Sequence, residues 1–347
     1  MLFHLVLNVN IFKERDKMET LIVCPKYIYL DWNVIKYMKE PRNGKEEIDL
    51  QFKKTIFKLR KKYIFPFSEA HIEDRLNNYV SDYDTQIMED FKFAISINNN
   101  KALGFTDSNE LMIVEYDMLK AFNEIKAENL QSNDVLINSN FPSTFKVDFS
   151  KIPQNHPMYD FLLANDGQVS PKIVDKFLLY FYETIFNDTE KYKQFRKYLG
   201  TANIRNDLSQ QIYSYEEVTF LDNMLVHCLP FLDSFGYDKE RLLNNWKDIT
   251  ESWANLNTSR GTLEEKLILS YGLLDLHPLF NEKLKKRKNT LDNIRRDGKH
   301  CMFASKAEFF ISEDAKTREK IAFIYKAFGI KTKVLSMMEF LNIFFVA

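Results

Sequence analysis

YIYLDWNVIKYM (27–38) sets four strand-forming residues, Tyr27 to Leu30, directly before an acid, Asp31, and then changes at once to helical spacing. A strand that hands a polar group to its carboxyl end, ahead of a helix, suits an open parallel sheet, where ligands bind along that edge. Two further stretches end the same way. IFPF (64–67) runs into Ser68 and Glu69, with Asp74 two helical turns further on, and FFIS (309–312) runs into Glu313 and Asp314.

The spacing around these stretches predicts alternating helices and strands. Residues 33–40 read as a helix ended by Pro41 and Gly44. Residues 47–62 read as an amphipathic helix with Ile48, Phe52, Ile56, Phe57 and Leu59 on one face. YIFPF (63–67) reads as a second strand, followed by the helix SEAHIEDRLNNYV with Ser68 as its cap. Near the other end come a helix at 292–305, a strand at 308–311, a helix at 314–328, the strand KTKVLS and a closing helix MMEFLNIFFVA. Between about 85 and 285 helical periodicity dominates, with helices expected at 173–199, 207–233, 238–256 and 262–274. A polar stretch at 129–157 reads as a long loop or β-excursion. The expectation is an α/β chain: a parallel Rossmann-like sheet with helices on both faces, formed by 1–80 and 288–347 and split by a mainly α-helical insertion, 81–287.

Composition narrows the function classes. Lys+Arg 48 against Asp+Glu 49 leaves net −1, so any polyanion site is a local basic patch. The cysteines, Cys24, Cys228 and Cys301, are three in number and far apart, which argues against disulfides and a cysteine zinc site and fits a reducing cytoplasm. No apolar run approaches the roughly 18 residues of a membrane span. The opening MLFHLVLNVNIF lacks a basic n-region and a small-residue cleavage site, so it does not read as a signal peptide. It is either an extra strand or sequence upstream of a start at Met18.

The acids carry the chemistry. If the three strands are neighbours, Asp31, Asp74 or Glu69, and Asp314 converge. In RRDGKHCMFAS, Asp297, His300, Cys301 and Ala304 share one helical face, whose small apolar members turn it inward and set Asp297 at its edge. Carboxylates gathered in one cleft repel one another unless a cation neutralises them, and oxygen-rich sets suit Mg²⁺ or Mn²⁺. Such ions activate water and stabilise the charge that develops in phosphodiester cleavage. Any one of these acids is also an ordinary helix cap; Asn33 can serve as the first cap in place of Asp31.

LDWNV (30–34), PFSEAHIED (66–74), DGKHCMFAS (297–305), FFISED (309–314) and the tail TREKIAFIYKAFGIKTKVLSMMEFL together resemble the motif set of PIN-like domains, most closely large bacterial PIN-like proteins with SxAHxxD and DxxH patterns. The resemblance covers roughly 1–80 and 288–347. It implies a small Rossmann-like sheet in which about four acids hold one or two divalent ions, and a ribonuclease activity. On it, Asp31 matches the first acid, Asp74 the second, Asp297 the third and Asp314 the fourth; Glu69 and His71 leave the second ligand open. Ser312 falls where the family has Thr, Ser or Asn two residues before the last acid. Asn33, Ser68, Glu69, His71, His300, Ser312 and Lys316 are candidates for supporting the site, the histidines by orienting carboxylates or touching phosphate.

Basic residues offer a substrate path. EKLKKRKNTLDNIRRDGK (282–299) runs into Asp297, making Lys285, Lys286, Arg287, Arg295 and Arg296 candidate nucleic-acid contacts, and KKTIFKLRKK (53–62) is a second basic run. The leading expectation is a cytoplasmic, metal-dependent nuclease acting on RNA, or on single-stranded DNA, in a toxin, defence or RNA-processing role. Its rivals are a PIN-like scaffold or sensor without chemistry and a phosphatase or nucleotide hydrolase. The helical insertion is the expected place for a protein partner or self-association.

Overall fold

A computed structural model describes residues 26–76, 84–106, 110–131, 145–146, 154, 159–164, 166–169, 188–199, 229–255, 261–280 and 291–345. The apolar opening with Met18, Cys24 and Cys228, the expected helix at 207–233 up to residue 228, and Lys285, Lys286 and Arg287 lie outside the described residues.

The chain is mixed α/β, mostly helical, with a small parallel three-stranded sheet. Contacts divide it into two compact units, one formed by Asn8–Asn133 with Arg296–Ala347 and the other by Asp134–Arg295 with Met1–Leu7. In the first, β1 (Ile28–Leu30) leads into α1 (Trp32–Lys39), α2 (Glu46–Leu59), α3 (Glu69–Leu76) and α4 (Asp84–Asn98). Then come a hairpin of β2 (Lys101–Phe105) and β3 (Leu111–Glu115), and α5 (Met118–Gln131). After the second unit the chain adds α6 (Leu291–Ala304), whose first residues precede the division, then β4 (Phe309–Ile311), α7 (Ala315–Phe328), β5 (Lys333–Leu335) and α8 (Met337–Phe345). Helices and hairpin from 84 to 131 therefore group with the sheet, where the sequence had suggested the insertion beginning at 81.

The sheet runs β1-β4-β5, all parallel. Leu30 pairs with Ile311 and Ile311 with Leu335, so the three strands end in register and the residues that follow them share one edge. The expected strand at 63–67 becomes two single bridges, Tyr27 to Ile64 and Phe67 to Ala102. Pro66 explains this: it has no N–H to give the ladder. The hairpin is a second departure from the helical expectation for 85–285. Asn99 and Asn100 take left-handed φ of 52° and 56° after α4, a conformation Asn tolerates, and the apolar run LMIVE pairs back onto KALGF.

The core is built by the expected faces with one exception. Ile28, Leu30, Val34, Met38, Phe52, Ile56, Phe309, Ile311 and Phe340 are buried together. Phe52 and Phe309 both meet the edge of Phe340, at 5.5 and 5.4 Å, which ties α2 and the sheet to α8. Phe57 is exposed instead, under Arg60, because the buried face of α2 runs through 49, 52, 55 and 56. Asp49 on that face is fully buried and receives Arg42 through its backbone N–H at 2.8 Å, Nε at 3.0 Å and a terminal nitrogen at 2.6 Å. Arg42 also holds Glu313 at 2.5 Å, and Glu313 accepts from the first amide of α8, Met337, at 2.9 Å. Opposite the strand edge, α7 ends at Gly329, whose φ of 68° is the left-handed stop that glycine adopts without strain.

In the second unit, the described helices Thr189–Leu199 and Lys239–Ala254 fall within the stretches expected at 173–199 and 238–256, and Leu263–Leu276 runs two residues past the one expected at 262–274. Thr262 and Glu265 form a reciprocal capping box on the last of these. Trp246 Nε1 donates to Ser270 Oγ at 2.7 Å, and Tyr192 donates to Asp275 at 2.9 Å. Phe145–Lys146 pairs antiparallel with Gln168–Val169. Among the described residues no helix is long and apolar enough to cross a membrane.

Candidate functional site

The in-register strand ends place the site. Asp31 follows β1 and Ser312 follows β4, directly across from it. Ser312 Oγ donates to Asp31 Oδ2 at 2.6 Å and accepts the Asp314 amide at 3.1 Å. Asp31, not Asn33, occupies the cap position of α1, yet its side chain makes no cap bond; Asn33, two residues on, is exposed within the first turn. The carboxylate is left to face inward.

Asp74 comes from α3 and His300 from α6. His300 Nε2 donates to Asp74 Oδ2 at 2.9 Å, and the buried Arg296 Nε donates to Asp74 Oδ1 at 3.2 Å. One ligand atom from each of Asp31, Asp74 and His300 lies within 4.8 Å of the other two, the one such group among the described residues. Asp297 and Asp314 stand outside it. Asp297 is half-buried on α6, one turn before His300. Asp314 is exposed and caps α7: its Oδ1 accepts the amides of Lys316 and Thr317 at 2.8 and 2.9 Å.

The charges are coupled. Burial pushes Asp31 up, as do Asp74 and Asp314, against His300 and Ser312. Burial pushes Asp297 up to about 7, with Asp74 and Asp31 adding to it and His300 and Lys320 opposing. For Asp74 burial works upward too, but His300 and Arg296 outweigh it and the carboxyl stays below its ordinary value. His300 feels the converse: burial favours its neutral form, and Asp74, Asp31 and Asp297 together raise it. Asp74 and His300 thus form a buried ion pair, beside two carboxyls with raised proton affinity. A divalent cation offers such a group what protons otherwise supply.

The second strand's residues divide their work. Glu69 does not join Asp31. It is buried against Lys299, which also binds Glu73 at 2.6 Å, so one lysine of α6 holds two acids of α3. Burial and the neighbouring Glu73 push Glu69 up to about 7 against the pull of Lys299. His71 is buried and neutral. Its Nε2–H donates to the Leu30 carbonyl at 2.7 Å, and its Nδ1 accepts the Ser68 amide at 2.9 Å. That second bond puts a histidine where a capping box uses Glu or Gln. Burial first, then His300, push His71 down to about 3.

No protein-family model, curated protein or solved structure matches this chain. The PIN-like resemblance rests on the short motifs of 30–34, 66–74, 297–305 and 309–314.

Several of the basic candidates face inward. Arg296 is buried on Asp74 and Lys299 on Glu69 and Glu73, so these two are internal partners and not substrate contacts. Arg295 is half-buried, and Lys316 is exposed and paired with Glu319 at 3.0 Å. Reading the sequence missed Tyr29, a buried hydroxyl on β1 that reaches Ser68 Oγ at 2.6 Å and His300 Nδ1 at 2.8 Å. Strand alternation carried the signal: residues two apart share a sheet face, so Tyr29 lies on the face of Asp31.

Proposed function

We propose that this chain is a metal-dependent nuclease with RNA as its substrate class, built on a PIN-like Rossmann sheet and holding its cation with Asp31, Asp74 and His300. The observation that carries the reading is the meeting of two carboxylates and an imidazole, drawn from β1, α3 and α6, at the carboxyl edge of a parallel sheet. Two oxygens and one nitrogen suit a divalent first-row ion. The nitrogen favours Mn²⁺ over Mg²⁺, because imidazole is a poor ligand for the harder ion. Bound there, the ion would supply charge stabilisation to a phosphodiester and lower the pKa of attacking water.

The chain's own residues do the rest. Ser312 orients Asp31, and Arg296 orients Asp74. Asp297, pushed up to about 7, is placed to hold or release a proton beside the cluster near neutral pH. Lys316 is exposed in the capped first turn of α7 and offers a cation to a polyanion.

A scaffold without chemistry has one observation in its favour. Both oxygens of Asp74 already carry cationic partners from this chain, so that carboxylate is balanced without an ion. Labelled single-stranded RNA and DNA, incubated with wild type and Asp31→Asn in Mn²⁺, Mg²⁺ or EDTA, separate the readings. The nuclease predicts metal-dependent cleavage of RNA that Asp31→Asn abolishes. Absence of cleavage, or its persistence in the variant, favours the scaffold, and turnover of free nucleotides alone favours a small-substrate hydrolase.

A further inference from the structure

We propose that the buried hydroxyl pair of Tyr29 and Ser68 is a reversible hydrogen-bond link that allows His300 to present a bare Nε2 to the cation, making both hydroxyls positioning residues for cation binding. The proposal rests on the metal reading above. Tyr29 and Ser68 are 0% exposed, His71 1% and His300 2%, so within this chain each polar atom must find its partner in the protein.

The far end of the chain has a fixed polarity. His71 gives its Nε2–H to the Leu30 carbonyl and takes the Ser68 amide on Nδ1, so towards Ser68 Oγ, 3.1 Å away, it offers only an acceptor. The near end, His300 Nδ1, lies 2.8 Å from the Tyr29 hydroxyl. Between the two rings stand two hydroxyls, 2.6 Å apart, and each can turn.

The protonated ring donates from both nitrogens, to Tyr29 and to Asp74; the neutral ring has two complete arrangements. In one, Ser68 O–H donates to Tyr29, Tyr29 O–H donates to His300 Nδ1, and His300 keeps its proton on Nε2 for Asp74. In the other both links reverse: His300 Nδ1–H donates to Tyr29 and Tyr29 to Ser68, while Ser68 O–H turns to His71 Nδ1, sharing that acceptor with the Ser68 amide. Nε2 is then bare towards Asp31 and Asp74. A ring bound to a cation through Nε2 carries its one proton on Nδ1, so it needs the second arrangement. Partners on the far ring nitrogen of a ligating histidine fix its tautomer and commonly govern metal affinity about 10–100-fold.

The two hydroxyls differ in a way that can be tested. Without the Ser68 hydroxyl the first arrangement survives, because Tyr29 still donates to His300. The second is weakened: the Tyr29 proton is left with His71 Nδ1 at 3.5 Å in place of Ser68 Oγ at 2.6 Å. Ser68→Ala therefore disfavours the cation-bound form relative to the neutral metal-free ring, while Tyr29→Phe leaves Nδ1 without its partner in either form.

Titration calorimetry with Mn²⁺ on the metal-free full chain tests this in wild type, Ser68→Ala and Tyr29→Phe. Thermal unfolding in EDTA serves as the control for folding. The expected result is at least about a 10-fold weaker Mn²⁺ affinity in both variants. Ring ¹⁵N shifts in metal-free Ser68→Ala are expected to show neutral His300 held as the Nε2–H tautomer, which loss of packing alone would not produce. Unchanged affinity in a folded Ser68→Ala overturns the proposal. If that variant does not fold, unchanged affinity in Tyr29→Phe overturns it instead. A wild type that takes up no Mn²⁺ removes the cation reading itself, and this inference with it.

Discussion

Lowering the pH from about 7.5 to about 5 is expected to loosen the sheet unit through one buried ring, His71. Its value in the folded chain, about 3, lies below the ordinary 6.5 that it regains on unfolding. The unfolded chain therefore binds the proton first, and stability falls as the pH drops through the window from 6.5 towards about 3. At pH 5 the chain is about 1.5 units into that window, a loss of about 2 kcal/mol, or roughly 30-fold in the opening equilibrium. His300 works in the opposite sense: its raised value favours the folded state at low pH, and that contribution is lost as the pH rises through it. The whole-protein profile thus mixes the two, and His71→Gln separates them by removing one. The assay is hydrogen exchange in peptides covering 27–38 and 68–76, corrected for the intrinsic rate at each pH. Wild type should lose about 30-fold more protection than His71→Gln between the two conditions. Equal losses would refute a neutral, buried His71 and the tautomer assigned from its contacts with Leu30 and Ser68.

Other substitutions test the supports of the site. Arg42→Ala leaves the fully buried Asp49 without its cation and should cost about 3 kcal/mol in urea unfolding, with part restored by adding Asp49→Asn. Lys299→Met leaves Glu69 and Glu73 facing each other. It should destabilise by about 3 kcal/mol near neutral pH, and by less near pH 5, where Glu69 takes up a proton; a gap that widens on acidification would contradict this. Ser312→Ala removes a hydrogen bond that holds Asp31 down, so carboxyl ¹³C titration should find Asp31 higher than in wild type.

Much of the site unit was legible because its signals are local. Strand-forming residues that stop on an acid marked β1 and β4, and the inward face of DGKHCMFAS marked α6. The wrong details have local causes as well. Pro66 broke the second strand into bridges, Phe57 lay off the true face of α2, and the Asn99–Asn100 turn opened a hairpin inside a stretch read as helical. The site was harder. Asp31 follows from strand-end position, which parallel register determines, and Asp74 from its spacing after Ser68 in the PIN-like resemblance. His300 entered only as a supporting residue, because sequence does not say which of two neighbours on a helix face reaches a carboxylate 226 positions away. Arg296 and Lys299 show why a basic run does not reveal its partners: Asp74, Glu69 and Glu73, which hold them, are on another helix. Asp314 shows the converse. Its carboxylate caps α7, the ordinary use of an acid after a strand.

Where the cation sits is the most direct question, and anomalous diffraction at the manganese edge from Mn²⁺-soaked crystals answers it. The expected density is a single peak within bonding distance of Asp31, Asp74 and His300 Nε2, with Asp314 still capping α7. A peak held by Asp31, Asp297 and Asp314 without His300, or no peak at this edge of the sheet, would contradict the site described above.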